Sequence, residues 1–258
     1  SRRKPWPNRN DSPKAFVTSL ADLPTNGASR IIYFGTPEIA VAPLRALVDA
    51  GFNVELVVTR PDVRRGRGKQ TSACPVKVAA QELGLKISQS ASDAVALVDS
   101  SKDLLGVVVA YGELISMDVL SVVPMINVHF SLLPRWRGAA PVERAILAGD
   151  ATTGVCIMRV VESLDQGEVF NRVEIPIAST DTLNSLRQKL LDASLPLLVN
   201  ACKNGLKDGV AQSGCFMYIH NLINIILHRY PRGIYIDTWA KYIDSFKTPV
   251  VYVHNHIL

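Results

Sequence analysis

The run Leu104-Leu-Gly-Val-Val-Val-Ala110 contains no polar side chain, and it constrains the fold more tightly than any other stretch of the chain. A strand covered on one face alternates apolar with polar residues. A strand buried on both faces reads as an unbroken apolar run, and such strands occupy the middle of parallel sheets covered by helices. The flanking patterns agree. Arg30 to Phe34 and Asn53 to Thr59 read as strands, separated by a helical pattern from Pro37 to Ala50 that Gly51 stops. Pro75 to Leu83 predicts a second helix, closed by Gly84. Further on, Gly154 to Val161 and Glu168 to Ile177 read as two more strands. Thr180 to Asn204 reads as a long amphipathic helix, capped by Asp181 or Thr180 and ended by Gly205.

Strands alternating with helices predict an α/β fold: a Rossmann-like, open, mostly parallel twisted sheet with helices on both faces. Gly35-Thr-Pro follows the first strand, but the full G-x-G-x-x-G pattern is absent, which argues against NAD. No apolar run is long enough to span a bilayer, so no membrane partner is expected.

The chemistry concentrates at Met125-Ile-Asn-Val-His-Phe130 and the loop after it. Strand side chains alternate faces, so Asn127 and His129 project to one side while Ile126 and Val128 pack on the other. An amide that donates to a developing oxyanion, beside an imidazole that titrates near neutrality, suits acyl transfer. Taken alone, Asn-x-His on a strand is more often a satisfied polar pair than a catalytic one. Ser131 to Pro141 then leads into the helical pattern Val142 to Ala148, with Pro141 near its first turn and Gly149 past its end. A strand end feeding a helix is where ligands of α/β sheets collect.

These residues resemble a known family. Ile126-Asn-Val-His129 with Ser131-Leu-Leu-Pro-Arg-Trp-Arg-Gly-Ala-Ala-Pro141 is similar to the signature of the methionyl-tRNA formyltransferases, within the wider formyltransferase family that uses 10-formyltetrahydrofolate. Ile31 to Glu38, Thr59 to Lys69, Val107 to Gly112 and Ser163-Leu-Asp-Gln-Gly167 match in the same order, over roughly residues 30 to 210. The resemblance implies formyl transfer from 10-formyltetrahydrofolate to the α-amine of initiator methionyl-tRNA, without a metal. It makes Asn127, His129 and Asp165 the catalytic set, although an Asp before Gln-Gly otherwise reads as a turn residue. It places the folate along Val109, Ala110, Tyr111 and Gly112, walled by Ser131, Leu132, Leu133 and Pro134. It assigns tRNA contacts to Arg65, Arg67 and Lys69 in the basic loop, and to Arg135 and Arg137. The protein is expected to be a monomer. Phe130 stands where these enzymes usually carry Gly; it either narrows the folate site or points into the core.

Charge is unevenly spread along the chain. Residues 31 to 211 hold 18 basic and 19 acidic side chains, yet Arg60, Arg64, Arg65, Arg67 and Lys69 cluster opposite Asp62 alone. A glycine-studded loop of that charge is expected to be exposed and able to follow a phosphate backbone. Residues 1–29 form a basic leader that reads either as a disordered extension or as the remnant of a transit peptide, which with this family points to a mitochondrion or, alternatively, a plastid. Residues 30–211 form the catalytic domain. Residues 212–258 hold four of the five histidines and do not resemble the family's C-terminal β-barrel domain. Cys74, Cys156, Cys202 and Cys215 show no paired spacing and read as reduced thiols. Two other readings stand: a small-molecule formyltransferase or formyl-folate hydrolase, and a truncated form that binds folate or tRNA with little turnover.

Overall fold

In a computed structural model of the chain, which describes residues 19–64 and 71–212, the apolar runs assemble into one seven-stranded sheet. Strand β1 (Arg30–Gly35) leads through a 3-10 turn at Glu38–Ala40 into helix α1 (Val41–Asp49) and then β2 (Asn53–Val58). Two-residue strands β3 (Val63–Arg64) and β4 (Thr71–Ser72) pair antiparallel outside the main sheet. Helix α2 (Pro75–Glu82), β5 (Ile87–Ser88), a 3-10 stretch at Ala91–Leu97, β6 (Leu104–Val109) and helix α3 (Met117–Leu120) follow. The chain continues through β7 (Met125–His129), α4 (Pro141–Leu147), β8 (Thr152–Arg159), β9 (Val169–Pro176) and α5 (Leu183–Asn204). The order across the sheet is β5-β2-β1-β6-β7-β8-β9. Pairs from β5 to β7 are parallel, and β8 and β9 join antiparallel. The sheet is thus mostly parallel, as the unbroken apolar run of β6 required.

Both faces of the sheet are covered. On one side Ile31, Tyr33, Leu105, Val107, Ile126, Val128 and Ile157 join apolar residues of α1, α2, α4 and α5 in the larger core. On the other, Ile32, Phe34, Leu56, Val58 and Met125 pack with Val119 and Leu120 of α3 and Ala94. Alternate residues of β1 enter alternate cores, and all four from Ile31 to Phe34 are fully buried. Among the described residues, no helix is long and apolar enough to cross a membrane.

Two helix starts differ from the sequence reading. The helix expected from Pro37 begins at Val41, so that Pro43, which has no N–H to give, falls in the first turn where no intrahelical donor is needed. The cap of α5 is Thr182, not Asp181 or Thr180. The Thr182 hydroxyl accepts the Ser185 N–H at 3.2 Å and the Ser185 hydroxyl accepts the Thr182 N–H at 3.0 Å, a reciprocal pair that leaves Asp181 outside the helix. Asp181 instead accepts the Ala178 N–H and binds Lys189, and the Lys189 ammonium first of all holds its carboxyl down at about 2. The short β3, β4, β5 and α3 have no counterpart in the periodicity of the sequence, being too brief to carry one. Cys74, Cys156 and Cys202 are buried free thiols, and burial pushes Cys202 up to about 12; Cys215 lies outside the described residues.

Gly154 in β8 lets two layers meet. A Cβ there would collide with the Val173 carbonyl oxygen of β9 and with the side chain of Leu132, so the loop after β7 rests directly on this glycine. Gly154→Ala is expected to cost about 1–3 kcal/mol, since backbone cannot yield as a flexible side chain would. Denaturant unfolding checks this; a change within about 0.5 kcal/mol would show that the strands separate freely.

Candidate active site

Strand β7 divides its residues as the alternation demands. Ile126, Val128 and Phe130 all enter the larger core, so Phe130, 7% exposed, points away from the polar face and does not narrow it. Asn127 and His129 share the opposite face. Asp165 comes to them from the connection between β8 and β9, where its φ of 51° is left-handed and the Gln166 N–H closes a turn onto the Ser163 carbonyl at 3.3 Å. The turn residue and the site residue are therefore one and the same: Asp tolerates the backbone, and that backbone aims its carboxylate at β7.

The carboxylate of Asp165 is the centre of the arrangement. Its Oδ1 accepts an N–H of Asn127 at 3.4 Å, its Oδ2 accepts the Gly138 N–H at 2.7 Å, and His129 Nδ1 faces Oδ2 at 3.5 Å. The imidazole is buried, and its Nε2–H donates to the Trp136 carbonyl oxygen at 2.9 Å. With Nε2 so engaged, the ring offers Asp165 either a lone pair or, when protonated, a second N–H. Both ring nitrogens thus face protein partners in this arrangement. Asn127 has two amide N–H groups and uses one on Asp165, which leaves the other for an oxyanion.

The loop after β7 is built to deliver those backbone groups. Trp136, Gly138 and Ala140 are all left-handed, with φ of 59°, 82° and 57°, so the chain reverses repeatedly between Pro134 and Pro141. Ser131 ties the loop start by donating to the Arg135 carbonyl at 2.6 Å. Asp150, just past α4, anchors the middle. It accepts both a fork of Arg135, at 2.9 and 2.6 Å, and the indole N–H of Trp136 at 2.7 Å, while the Arg135 guanidinium lies 4.4 Å from the Trp136 ring centroid. The Arg135 fork, more than the Trp136 hydrogen bond, holds the Asp150 carboxyl below its ordinary range despite burial.

The segments assigned to folate emerge from neighbouring strand ends. Val109, Ala110, Tyr111 and Gly112 close β6, and Ser131, Leu132, Leu133 and Pro134 follow β7, its parallel neighbour. Ala110 at φ 46° and Gly112 at φ 85° are exposed, whereas Val109, Ser131 and Leu133 are buried. Tyr111 is a core residue: its ring stands edge-on to Phe34 at 5.7 Å, and burial, with Glu113 beside it, pushes its hydroxyl up to about 12. Arg135 and Arg137, assigned to tRNA, anchor the loop, the first on Asp150 and the second on the Gln212 side-chain oxygen. Arg65, Arg67 and Lys69 lie outside the described residues. The contributions that sequence reasoning missed are the Trp136 carbonyl and Gly138 N–H, which are backbone groups without a residue signature, and Asp150 and Gln212. Gln212 is bonded to the body, whose end therefore lies past residue 211.

An open, mostly parallel α/β sheet carrying Asn, His and Asp together beside the end of a central strand defines an enzyme class suited to acyl transfer. The formyl transferase family model matches residues 29–202, and the chain belongs to that family. A methionyl-tRNA formyltransferase of Neisseria meningitidis serogroup C is 45% identical over 177 residues, covering 66% of this chain and 58% of the relative. One from Cutibacterium acnes is 44% identical over 185 residues, covering 68% and 58%. The chain therefore spans under two thirds of the length of these relatives. Among solved structures, the phosphoribosylglycinamide formyltransferase of Streptococcus pneumoniae superposes with a TM-score of 0.56 at 23% identity, covering 68% of this chain and 97% of that one. The Helicobacter canadensis N-formyltransferase, solved with folinic acid and dTDP-3-aminofucose, gives 0.55 at 18% identity, covering 72% and 68%. These likenesses establish the fold.

The Asp150 anchor has a pH signature. A carboxyl held below its ordinary range stabilises the fold above its unfolded pKa of about 4, and that contribution is lost as pH falls through the lower folded value. Asp150→Asn is expected to lower stability most near neutrality, with the gap to wild type closing as the pH drops below about 4. Urea melts between neutral and acid pH would read this; a gap that widens in acid would contradict it.

Proposed function

We propose that this chain transfers a formyl group from 10-formyltetrahydrofolate to the α-amine of initiator methionyl-tRNA. The observation that carries the reading is the meeting of Asp165 with Asn127 and His129 on one sheet face, in a chain of the formyl transferase family whose curated relatives bear this activity in their names. In this reading the donor lies along the ends of the paired strands β6 and β7, a placement supported by the exposed, left-handed backbone of Ala110 and Gly112.

In the proposed reaction the amine of the methionyl ester attacks the formyl carbon, and the carbonyl pair moves onto oxygen. The remaining N–H of Asn127 stabilises that oxygen, an effect worth about 3–4 kcal/mol for a well-placed donor. Asp165, held by His129 and the Gly138 N–H, accepts the proton that the attacking nitrogen must lose. Collapse breaks the bond between the formyl carbon and the folate nitrogen, which receives the proton, and leaves formyl-methionyl-tRNA and tetrahydrofolate. Arg65, Arg67 and Lys69 engage phosphates near the acceptor end, with Arg135 and Arg137 adding positive charge at the rim. The basic residues between 1 and 29 support action in a mitochondrion, with a plastid as the alternative.

Formyl transfer assayed side by side with methionyl-tRNA, glycinamide ribonucleotide and water as acceptors tests the reading. Turnover with methionyl-tRNA supports it. Turnover confined to the small acceptor or to water would replace it with a small-molecule transferase or hydrolase, and absence of turnover with folate bound would leave a binding protein. Asp165→Asn keeps an acceptor for the Gly138 N–H, yet is expected to lower kcat by about 10²–10⁴-fold through loss of the proton acceptor. Near-normal kcat in that variant would remove Asp165 from proton transfer. Neutralising Arg65, Arg67 and Lys69 together is expected to raise KM for tRNA and to flatten its dependence on salt, with kcat preserved. An unchanged salt slope would dissociate the loop from the acceptor.

A further inference from the structure

One side chain joins the two loops that build the site. Gln212 follows the bridge between Val169 and Val210 and reaches back over the Asp165 turn. Its side-chain oxygen accepts Nε and Nη2 of Arg137 at 2.9 and 2.7 Å. Its amide nitrogen donates to the backbone carbonyls of Asp165 at 3.1 Å and Gly167 at 2.7 Å. All four hydrogen-bonding positions of the amide are therefore used, and only one orientation works, because exchanging oxygen for nitrogen would set N–H against guanidinium and lone pairs against carbonyls.

What the amide connects is specific. Arg137 lies between Trp136, whose carbonyl holds His129, and Gly138, whose N–H holds the Asp165 carboxylate. On the other side, Asp165 keeps its left-handed φ of 51°, and Gly167 is pressed so closely onto the Arg159 carbonyl that no Cβ would fit. A turn of this kind is set by its surroundings, and Gln212 binds the carbonyls at both ends of Asp165-Gln-Gly167.

We propose that Gln212 is a positioning residue that sets the Asp165 carboxylate against Asn127 and His129 by pinning the backbone on either side of it. It does so without touching substrate. The role in turnover rests on the reading of Asp165 as the proton acceptor in formyl transfer; the geometric role does not.

Gln212→Glu separates this from a merely structural contact. The carboxylate keeps the side chain's volume and its partner Arg137, but it replaces two donors with lone pairs that face the carbonyls of Asp165 and Gly167. A carboxylate displaced by a fraction of an ångström is expected to lower kcat by about 10–100-fold, with KM for the formyl donor and for tRNA within about twofold of wild type. Hydrogen exchange at the Gly138 amide, which Asp165 protects, is expected to quicken by at least about tenfold. Arg137→Lys, which retains the glutamine and shortens its partner's fork, should shift both readouts in the same direction and keeps the test open should Q212E fold poorly. Wild-type kcat and wild-type Gly138 exchange in both variants would overturn the proposal, as would a fall in melting temperature unaccompanied by either change. If the wild-type chain itself shows no formyl transfer, the proposed reaction fails, and Gly138 exchange alone then decides the role of Gln212.

Discussion

A carboxylate withdrawn from water has to be met by donors, and in this protein that requirement organises everything around it. The Asp165 side chain is only 9% exposed. An isolated buried charge of that kind costs several kcal/mol, so its oxygens need partners whose positions do not drift. Two donors meet them, the amide of Asn127 on β7 and the Gly138 N–H on the following loop, with the ring of His129 beside them at 3.5 Å. Each segment that meets here is fixed by a different device. The strand is held by its neighbours on both sides, the loop by Asp150 through Arg135 and Trp136, and the turn bearing Asp165 by Gln212.

The sheet makes this meeting possible through a change of direction. Up to β7 the strands run parallel, with crossovers that carry the chain over one face or the other. At β8 the chain turns antiparallel, so that Ile126 pairs with Arg159 and His129 with Cys156. The connection from β8 to β9 therefore leaves beside the start of β7 and folds over its polar face, where a parallel crossover would have placed a helix. Asp165 owes its position to that reversal, and the apolar side of β7 remains undisturbed in the larger core.

Much of this was legible in the sequence because it follows from periods and residue types. The unbroken apolar run of β6 implied burial on both faces, and the period of two in Met125 to Phe130 separated Asn127 and His129 from Ile126 and Val128. The same period, carried one residue further, sends Phe130 into the core. Asp165 read from its own neighbourhood is a turn residue; only the resemblance of Leu164-Asp-Gln-Gly167 to the formyltransferases implied a catalytic part, and the structure shows that the turn geometry itself delivers the side chain. What stayed hidden were contributions made by backbone or across long separations. A carbonyl at Trp136 and an N–H at Gly138 exist in any sequence, and their direction depends on left-handed φ values that Trp and Ala rarely advertise. Gln212 lies 47 positions from Asp165, and nothing local marks a glutamine as a bridge.

The small ladder of β3 and β4 has a different kind of consequence. Val63 pairs with Ser72 and Arg64 with Thr71, so the chain on either side of residues 65–70 is brought back to the same place. Whatever length or charge lies between those two strands, the chain leaves from the side of β2 and returns toward α2 at the same points. The segment between β3 and β4 and the sheet that carries the Asp165 site are thereby separable parts. A lineage can rewrite one of them, by insertion, deletion or change of charge, without re-solving the packing problem posed by the other.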